Sequence, residues 1–309
     1  MLDILCLGEP MVEFNRQPDG RWLQGFGGDV SNVAVAAARQ GARAGMATRI
    51  GTDGFGDDLM KLWRDEGIDT AHVERDPNAP TGLYFVRHGA DGHAFEYRRA
   101  GSAASRMTPS LLPSEALATR CLHLSGISQA IGGCARETCD AAVGTARAQG
   151  VLVSYDPNLR LSLWSLPEAR EAADSMAAAS DVFLPGLEDA RQLTGLERPG
   201  EIADRYFGLG ARLVALTLGA EGVLLAEPSG NTLIPAPKVR LVDAGGAGDC
   251  FDGAFLARLL AGDDAVEAAR YAVMAAAISV EGYGAVAPIP TRAEVEARRA
   301  ALTPRPPTR

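Results

Sequence analysis

The chain has 309 residues, 47% hydrophobic and 22% charged, which is enough for one large α/β domain or two small ones of ordinary soluble composition. A net charge of −9 gives the chain as a whole no electrostatic reason to bind nucleic acid or an anionic membrane surface. Five cysteines form no CxxC pair and four histidines are scattered, so zinc-ligand spacing is absent and reduced, cytoplasmic thiols are expected.

The start, MLDILCLGEP, is apolar but carries Asp3 and lacks a basic n-region or a small-residue cleavage site. It reads as a buried strand rather than a secretion signal. Residues 10–26, PMVEFNRQPDGRWLQGF, then read as two strands around an Asp-Gly turn. SNVAVAAARQG has helical spacing, AGMATRIG reads as a strand, and FGDDLMKLWRDEG as a second helix that ends at glycine. Residues 81–99, TGLYFVRHGADGHAFEYRR, carry a second hairpin signal, with GADG between LYFVR and AFEYR. RCLHLSG follows as a strand in which His123 is structural, then a helix in ARETCDAAVGTARAQG and strands in VLVSYDPN and RLVALTLG. YAVMAAAISV is too short to span a bilayer, and only the tail TPRPPTR reads as disordered. Continuous apolar strands alternating with helices predict a doubly wound, mostly parallel central sheet with helices on both faces. The two hairpins are predicted to form a small sheet over its C-terminal edge, where open α/β sheets bind ligands. That small sheet is read as a lid, and its outer face as a surface where a second copy could pair.

The stretch LVDAGGAGDCFDGAFLARLL, residues 241–260, has the glycine-rich character of a phosphate loop but ends in a carboxylate instead of Lys-Ser or Lys-Thr. Phe251, Phe255 and Leu259 continue it with helical spacing. Backbone N–H groups at such a helix start can hold an anion. Asp249 in the first turn is either a cap or a general base that would deprotonate an alcohol beside that anion.

DAGGAGD resembles the D-T-x-G-A-G-D signature of the ribokinase-like, PfkB-type carbohydrate kinases, and GGDVSNVAVAAARQGARAGMATRIGTDGFGDDL (residues 27–59) resembles that family's N-terminal signature. The resemblance extends over nearly the whole chain. It implies a single ribokinase-like α/β kinase domain over 1–309, with lid segments at about 10–26 and 81–99, and ATP and Mg²⁺ as cofactors, with a monovalent cation left open. It makes Asp249 the catalytic base, and the backbone of Gly246, Ala247 and Gly248 the anion hole. Gly28 would allow close approach to the sugar while Asp29 and Asn32 offer it polar groups, unless Asp29 serves only as a helix cap. TLGAEG, with Thr217, Gly219 and Gly222, resembles the family's nucleotide-binding turn. The chain departs from the pattern in two places. Ala244 stands where Thr is usual, removing a hydroxyl. Gly186 and Asp189 replace the Asn and Glu of the N-x-x-E motif that organises Mg²⁺ through water, with Glu188 beside them.

Tyr97 and Arg99 lie two apart on a strand and so share a face, Tyr84 lies on the partner strand, and Arg160 leaves the loop after SYDPN at the ligand edge. Two guanidinium groups beside tyrosines suit a carboxylate, which points to an acidic sugar. TGLYF, the Tyr97-x-Arg99 pair and DPNLR resemble the 2-keto-3-deoxygluconate kinases of the family. By that likeness Arg99 and Arg160 would hold the carboxylate and keto end, and Tyr84 and Tyr97 the chain. A fructokinase or other neutral-sugar kinase is the first alternative, and a non-catalytic sugar sensor the remote one.

Overall fold

The computed structural model describes residues 1–89, 92–112 and 117–302. The chain opens with β1 (Leu2–Leu7), β2 (Met11–Arg16) and β3 (Trp22–Gly27), then α1 (Asp29–Arg39), β4 (Ala44–Gly51), α2 (Gly54–Asp65) and β5 (Asp69–Asp76). A hairpin of β6 (Gly82–Gly89) and β7 (Gly92–Arg98) precedes β8 (Thr119–Ser125), α3 (Gly126–Ala130), α4 (Gly133–Ala148) and β9 (Leu152–Asp156). Next come α5 (Leu166–Ala179), β10 (Val182–Phe183), α6 (Leu187–Thr194), α7 (Pro199–Leu209) and β11 (Leu213–Thr217). The last elements are β12 (Val223–Glu227), β13 (Gly230–Ile234), α8 (Ala247–Ala261), α9 (Ala265–Ser279) and α10 (Arg292–Leu302).

Among the described residues nine strands form one sheet in the order β13-β12-β11-β10-β9-β8-β1-β4-β5. All pairs from β5 to β11 are parallel, as the apolar runs predict, and β12 and β13 add an antiparallel edge. The lid is a separate four-stranded sheet, β3-β2-β6-β7, in which the two predicted hairpins join through a parallel β2–β6 pair. The turn at residues 90 and 91 and the tail at 303–309 lie outside the described residues.

Helices cover both faces of the large sheet. Val33, Leu59, Phe255 and Ala272, from α1, α2, α8 and α9, pack on one face. Ala142, Met176 and Tyr206, from α4, α5 and α7, pack on the other. His123 is buried in β8 against the Ser154 hydroxyl (Nδ1–Oγ 3.1 Å), and burial pushes its pKa down to about 3, so it is neutral and structural. All five cysteines are free, with Cys134 alone exposed. No helix among the described residues is long and apolar enough to cross a membrane.

The contact that matters most for function lies between α1 and α8. Small residues line it, including Ala36, Ala37 and Gly253. A Cβ on Gly253 would lie 2.5 Å from the Val33 carbonyl oxygen and 2.6 Å from the Ala36 Cβ. The helices can therefore lie this close only with glycine at that position. Gly253→Ala should cost about 1–3 kcal/mol, read as a lowered urea midpoint; an unchanged midpoint would mean that the two helices separate without strain.

Candidate active site

The site is built where α1 and α8 begin, at the C-terminal edge of the large sheet and beneath the lid. Asp243 shapes the loop before α8. It is buried, and its carboxylate accepts hydrogen bonds from the backbone N–H groups of Gly245 (2.9 Å) and Gly284 (3.1 Å). Asn15 of lid strand β2 approaches the same carboxylate at 3.5 Å. Gly246 takes φ +75 against the backbone of Ala285, a left-handed conformation that suits glycine. As the N-cap it brings no side chain, so the first turn of α8 keeps backbone donors and the positive end of the helix dipole for an outside anion. The Ala247 N–H points back to the Ala244 carbonyl at 3.3 Å, whereas the space beside the Gly248 Cα is open.

Asp249 follows in the first turn, half-buried. Its Oδ2 accepts a 2.7 Å hydrogen bond from the Asn32 amide, while Asn32 Oδ1 is left without a partner. Burial pushes the Asp249 pKa up to about 7 and the charge of Asp29 adds to the rise; the Asn32 hydrogen bond and the charge of Arg160 oppose it. A carboxylate tuned this way can take a proton from an alcohol near neutral pH.

On the α1 side, Gly28 has φ +90, and a Cβ there would lie 2.3 Å from the Glu9 carbonyl oxygen, so no other residue fits. Asp29 is not the cap of α1. It accepts from its neighbour Val30 N–H (2.9 Å) and from the Asn158 amide (3.1 Å). Asn158 itself has φ +32 in the turn after β9, which Asn tolerates better than most residues, and its N–H donates to Asp156 (2.9 Å). Asp189 accepts the Leu159 N–H at 2.9 Å and so holds the loop that carries Arg160. Its neighbour Glu188 points away from the cleft, 80% exposed and paired with Arg191. From the lid, the Tyr84 hydroxyl donates to Glu13 at 2.6 Å, and the Arg99 guanidinium lies 4.4 Å over the Tyr97 ring and 3.2 Å from a Glu9 oxygen.

These groups surround one cleft of about 760 Å³. Of the residues singled out from sequence, Gly28, Asp29, Asn32, Tyr84, Tyr97, Arg99, Arg160, Asp189, Thr217, Gly246, Ala247, Gly248 and Asp249 line it; Glu188, Gly219 and Gly222 do not. Gly222 serves the strand connection, since a Cβ there would lie 2.0 Å from the Ile234 carbonyl oxygen. Sequence reasoning missed Glu9, Glu13, Asp156, Asn158, Asp243 and Asp252, all but Asn158 being carboxylates that line the cleft, as Asn158 does too. The Asp-Pro-Asn turn signal and the three-residue spacing of Asp249 and Asp252 on one helix could have found three of them.

Among the described residues no group of three or more His, Cys, Asp or Glu side chains is arranged to hold a metal ion alone. An Mg²⁺ carried on a nucleotide takes one or two carboxylates and fills its other positions with phosphate oxygens and water. The buried Asp252 Oδ2, which has no hydrogen-bond partner, is an acceptor of the kind such an ion or its water needs.

The site thus sets a half-buried carboxylate with a raised pKa beside an uncapped helix start of the kind that holds anions. The pfkB family carbohydrate kinase pattern matches residues 1–292, and the chain belongs to that family of ATP-dependent carbohydrate kinases. It is 34% identical to the 2-dehydro-3-deoxygluconokinase of Thermoproteus tenax over 308 residues, 95% of this chain and 94% of that one. It is 31% identical to fructokinase-1 of Zea mays, over 94% of this chain and 96% of the relative. Fructokinase from Vibrio cholerae O395, solved with fructose, ADP and calcium ion bound, superposes with a TM-score of 0.88 at 30% identity, covering 96% of this chain and 98% of that one.

Because Asn32 favours the ionised form of Asp249, removing it should raise the pKa of that carboxylate. The Asn32→Ala variant should move the acid limb of the kcat profile up by about one pH unit. A pH–rate series on both proteins checks this, and coincident limbs would mean that the hydrogen bond is lost when substrates bind.

Proposed function

We propose that this chain is a 2-keto-3-deoxygluconate kinase, which transfers the γ-phosphoryl group of ATP to the C6 hydroxyl of the sugar acid. The observation that supports it most is that two guanidinium groups, Arg99 and Arg160, line the same cleft as Asp249. In this reading the two arginines hold the carboxylate and keto end, as guanidinium forks hold carboxylates. Tyr84 and Tyr97 flank the carbon chain, and Gly28, Asp29 and Asn32 meet its hydroxyls. Asp249 takes the C6 proton as the O6–phosphorus bond forms and the bond to ADP breaks. The helix start at Gly246, Ala247 and Gly248 stabilises the charge on the moving phosphoryl group. Thr217 borders the nucleotide, with Gly219 and Gly222 in the turn that follows. Mg²⁺, when bound, neutralises phosphate charge, and Asp189 is the member of the Glu188–Asp189 pair on the cleft side to hold it through water. The name of the Thermoproteus tenax relative agrees with this choice of substrate.

A fructokinase activity is the second reading, and one observation favours it. Glu9 already faces Arg99, so the guanidinium is neutralised before any acid arrives. We further propose that the chain acts as one kinase domain in the cytoplasm and pairs with a second copy through the lid, where Leu23 of β3 is 49% exposed.

Turnover of MgATP should be strong with 2-keto-3-deoxygluconate and weak with fructose or ribose. Asp249→Asn should reduce kcat by about 10²–10⁴-fold. Turnover confined to the neutral sugars would keep the kinase and sink the sugar-acid assignment. Arg99→Ala should raise KM for the keto acid by about tenfold or more while changing that for fructose little. Equal losses on both sugars would assign Arg99 a role in holding the lid instead.

A further inference from the structure

Glu9 lies between β1 and β2 and is only 1% exposed. The Ser102 hydroxyl donates to its Oε1 at 3.1 Å, and Arg99 Nε lies 3.2 Å from Oε2. The pair is close but not aligned as a hydrogen bond, so Glu9 Oε2 and Arg99 Nε both remain without one. The other neighbours of Arg99 are the Met11 sulfur at 3.2 Å and the face of Tyr97. Groups facing Glu9 from the surrounding elements are Arg99 after β7, Ser102 beyond it, and the carboxylate of Asp29 at the start of α1, while β6 brings Gly82 against it. Burial raises the Glu9 pKa to about 7, with Arg99 and Ser102 opposing the rise and Asp29 adding to it.

We propose that Glu9 takes up a proton when a sugar acid binds at Arg99, so that recognition of the substrate carboxylate is linked to neutralisation of this buried side chain. The proposal rests on the sugar-acid reading above. An arriving carboxylate would set a second negative charge around one guanidinium, with Asp29 close by. Two carboxylates that share a site do not both stay ionised. Glu9, shut off from water, is the one that neutralises, while the substrate keeps its charge and takes the guanidinium. A neutral sugar makes no such demand and leaves the Glu9–Arg99 pair intact. Glu9 is thus a positioning residue that decides whether Arg99 is satisfied by the protein or by the ligand.

Calorimetric titration of the full chain at pH 8, in two buffers of different ionisation enthalpy, tests this directly. Binding of 2-keto-3-deoxygluconate should take up close to one proton, and binding of fructose none. In steady state the wild-type KM for the acid should rise about tenfold per pH unit above pH 8. In Glu9→Gln, a neutral side chain of the same shape, that rise should flatten and the proton uptake vanish, while the pH dependence of kcat stays with Asp249. Acid binding without proton uptake in the wild type, or uptake that persists in Glu9→Gln, would overturn the proposal and leave the sugar-acid reading standing. If the acid neither binds nor turns over while fructose does, the sugar-acid reading fails and this linkage falls with it. The wild-type calorimetry decides the matter even if the variant does not fold.

Discussion

Helix α8 approaches α1 until Gly253 lies against the Val33 carbonyl, and at the adjoining ends of the same helices the Asn32 amide reaches the Asp249 carboxylate at 2.7 Å. Both facts follow from small residues along the shared face, because a single added methyl group would push the helices apart. The Gly28 backbone, Asp249 and the uncapped start of α8 are thereby held at one spacing by rigid elements, while the lid, the loops after β9 and β10 and the end of β11 bring the other walls of the cleft. Sites carried on packed helices keep their geometry better than sites carried on loops.

The cleft crowds carboxylates, and that crowding sets its chemistry. Asp29, Asp156, Asp189, Asp249 and Asp252 line it along with Glu9, Glu13 and Asp243, faced among the described residues by two arginines. Burial comes first among the causes that push Asp156, Asp189, Asp249 and Asp252 upward, and neighbouring negative charge adds to it in each case. The same field that raises the pKa of Asp249 repels a polyphosphate. The first-turn donors of α8 and a cation carried by the nucleotide offset that repulsion locally. The net charge of −9 says nothing of this balance, which is decided within one cleft.

The parallel sheet, the lid hairpins and the start of α8 were legible because their signals are local: apolar runs, helical spacing, and glycines at turns. Edge strand β5 was harder to read, since DTAHVERD alternates polar residues and lies half-exposed at the border of the sheet. The partners of the site residues were not legible at all. Asn32 reads as a sugar ligand in sequence, yet its amide is engaged by a carboxylate 217 positions away. The Tyr84 hydroxyl is taken by Glu13, its register partner across the β2–β6 pair, and Arg99 by Glu9 in the β1–β2 connection, pairs that exist only once the lid strands have come together. Helical phase separates Glu188 from Asp189, turning one outward and the other inward, and two adjacent acidic letters carry no sign of which is which.

The distance along the chain between the lid and the base has a consequence for biosynthesis. The β2–β6 pairing and the whole lid are complete once β7 has been made, whereas Asp249 and its loop arrive near the C-terminus. Domains grow from the N-terminus on the ribosome, so the lid can assemble early, while the contact between α1 and α8 must wait for α8. A chain interrupted anywhere before α8 lacks both Asp249 and the uncapped helix start. Interrupted past β7, such a chain keeps the lid but lacks one wall of the cleft, so an intact cleft reports that synthesis has passed α8.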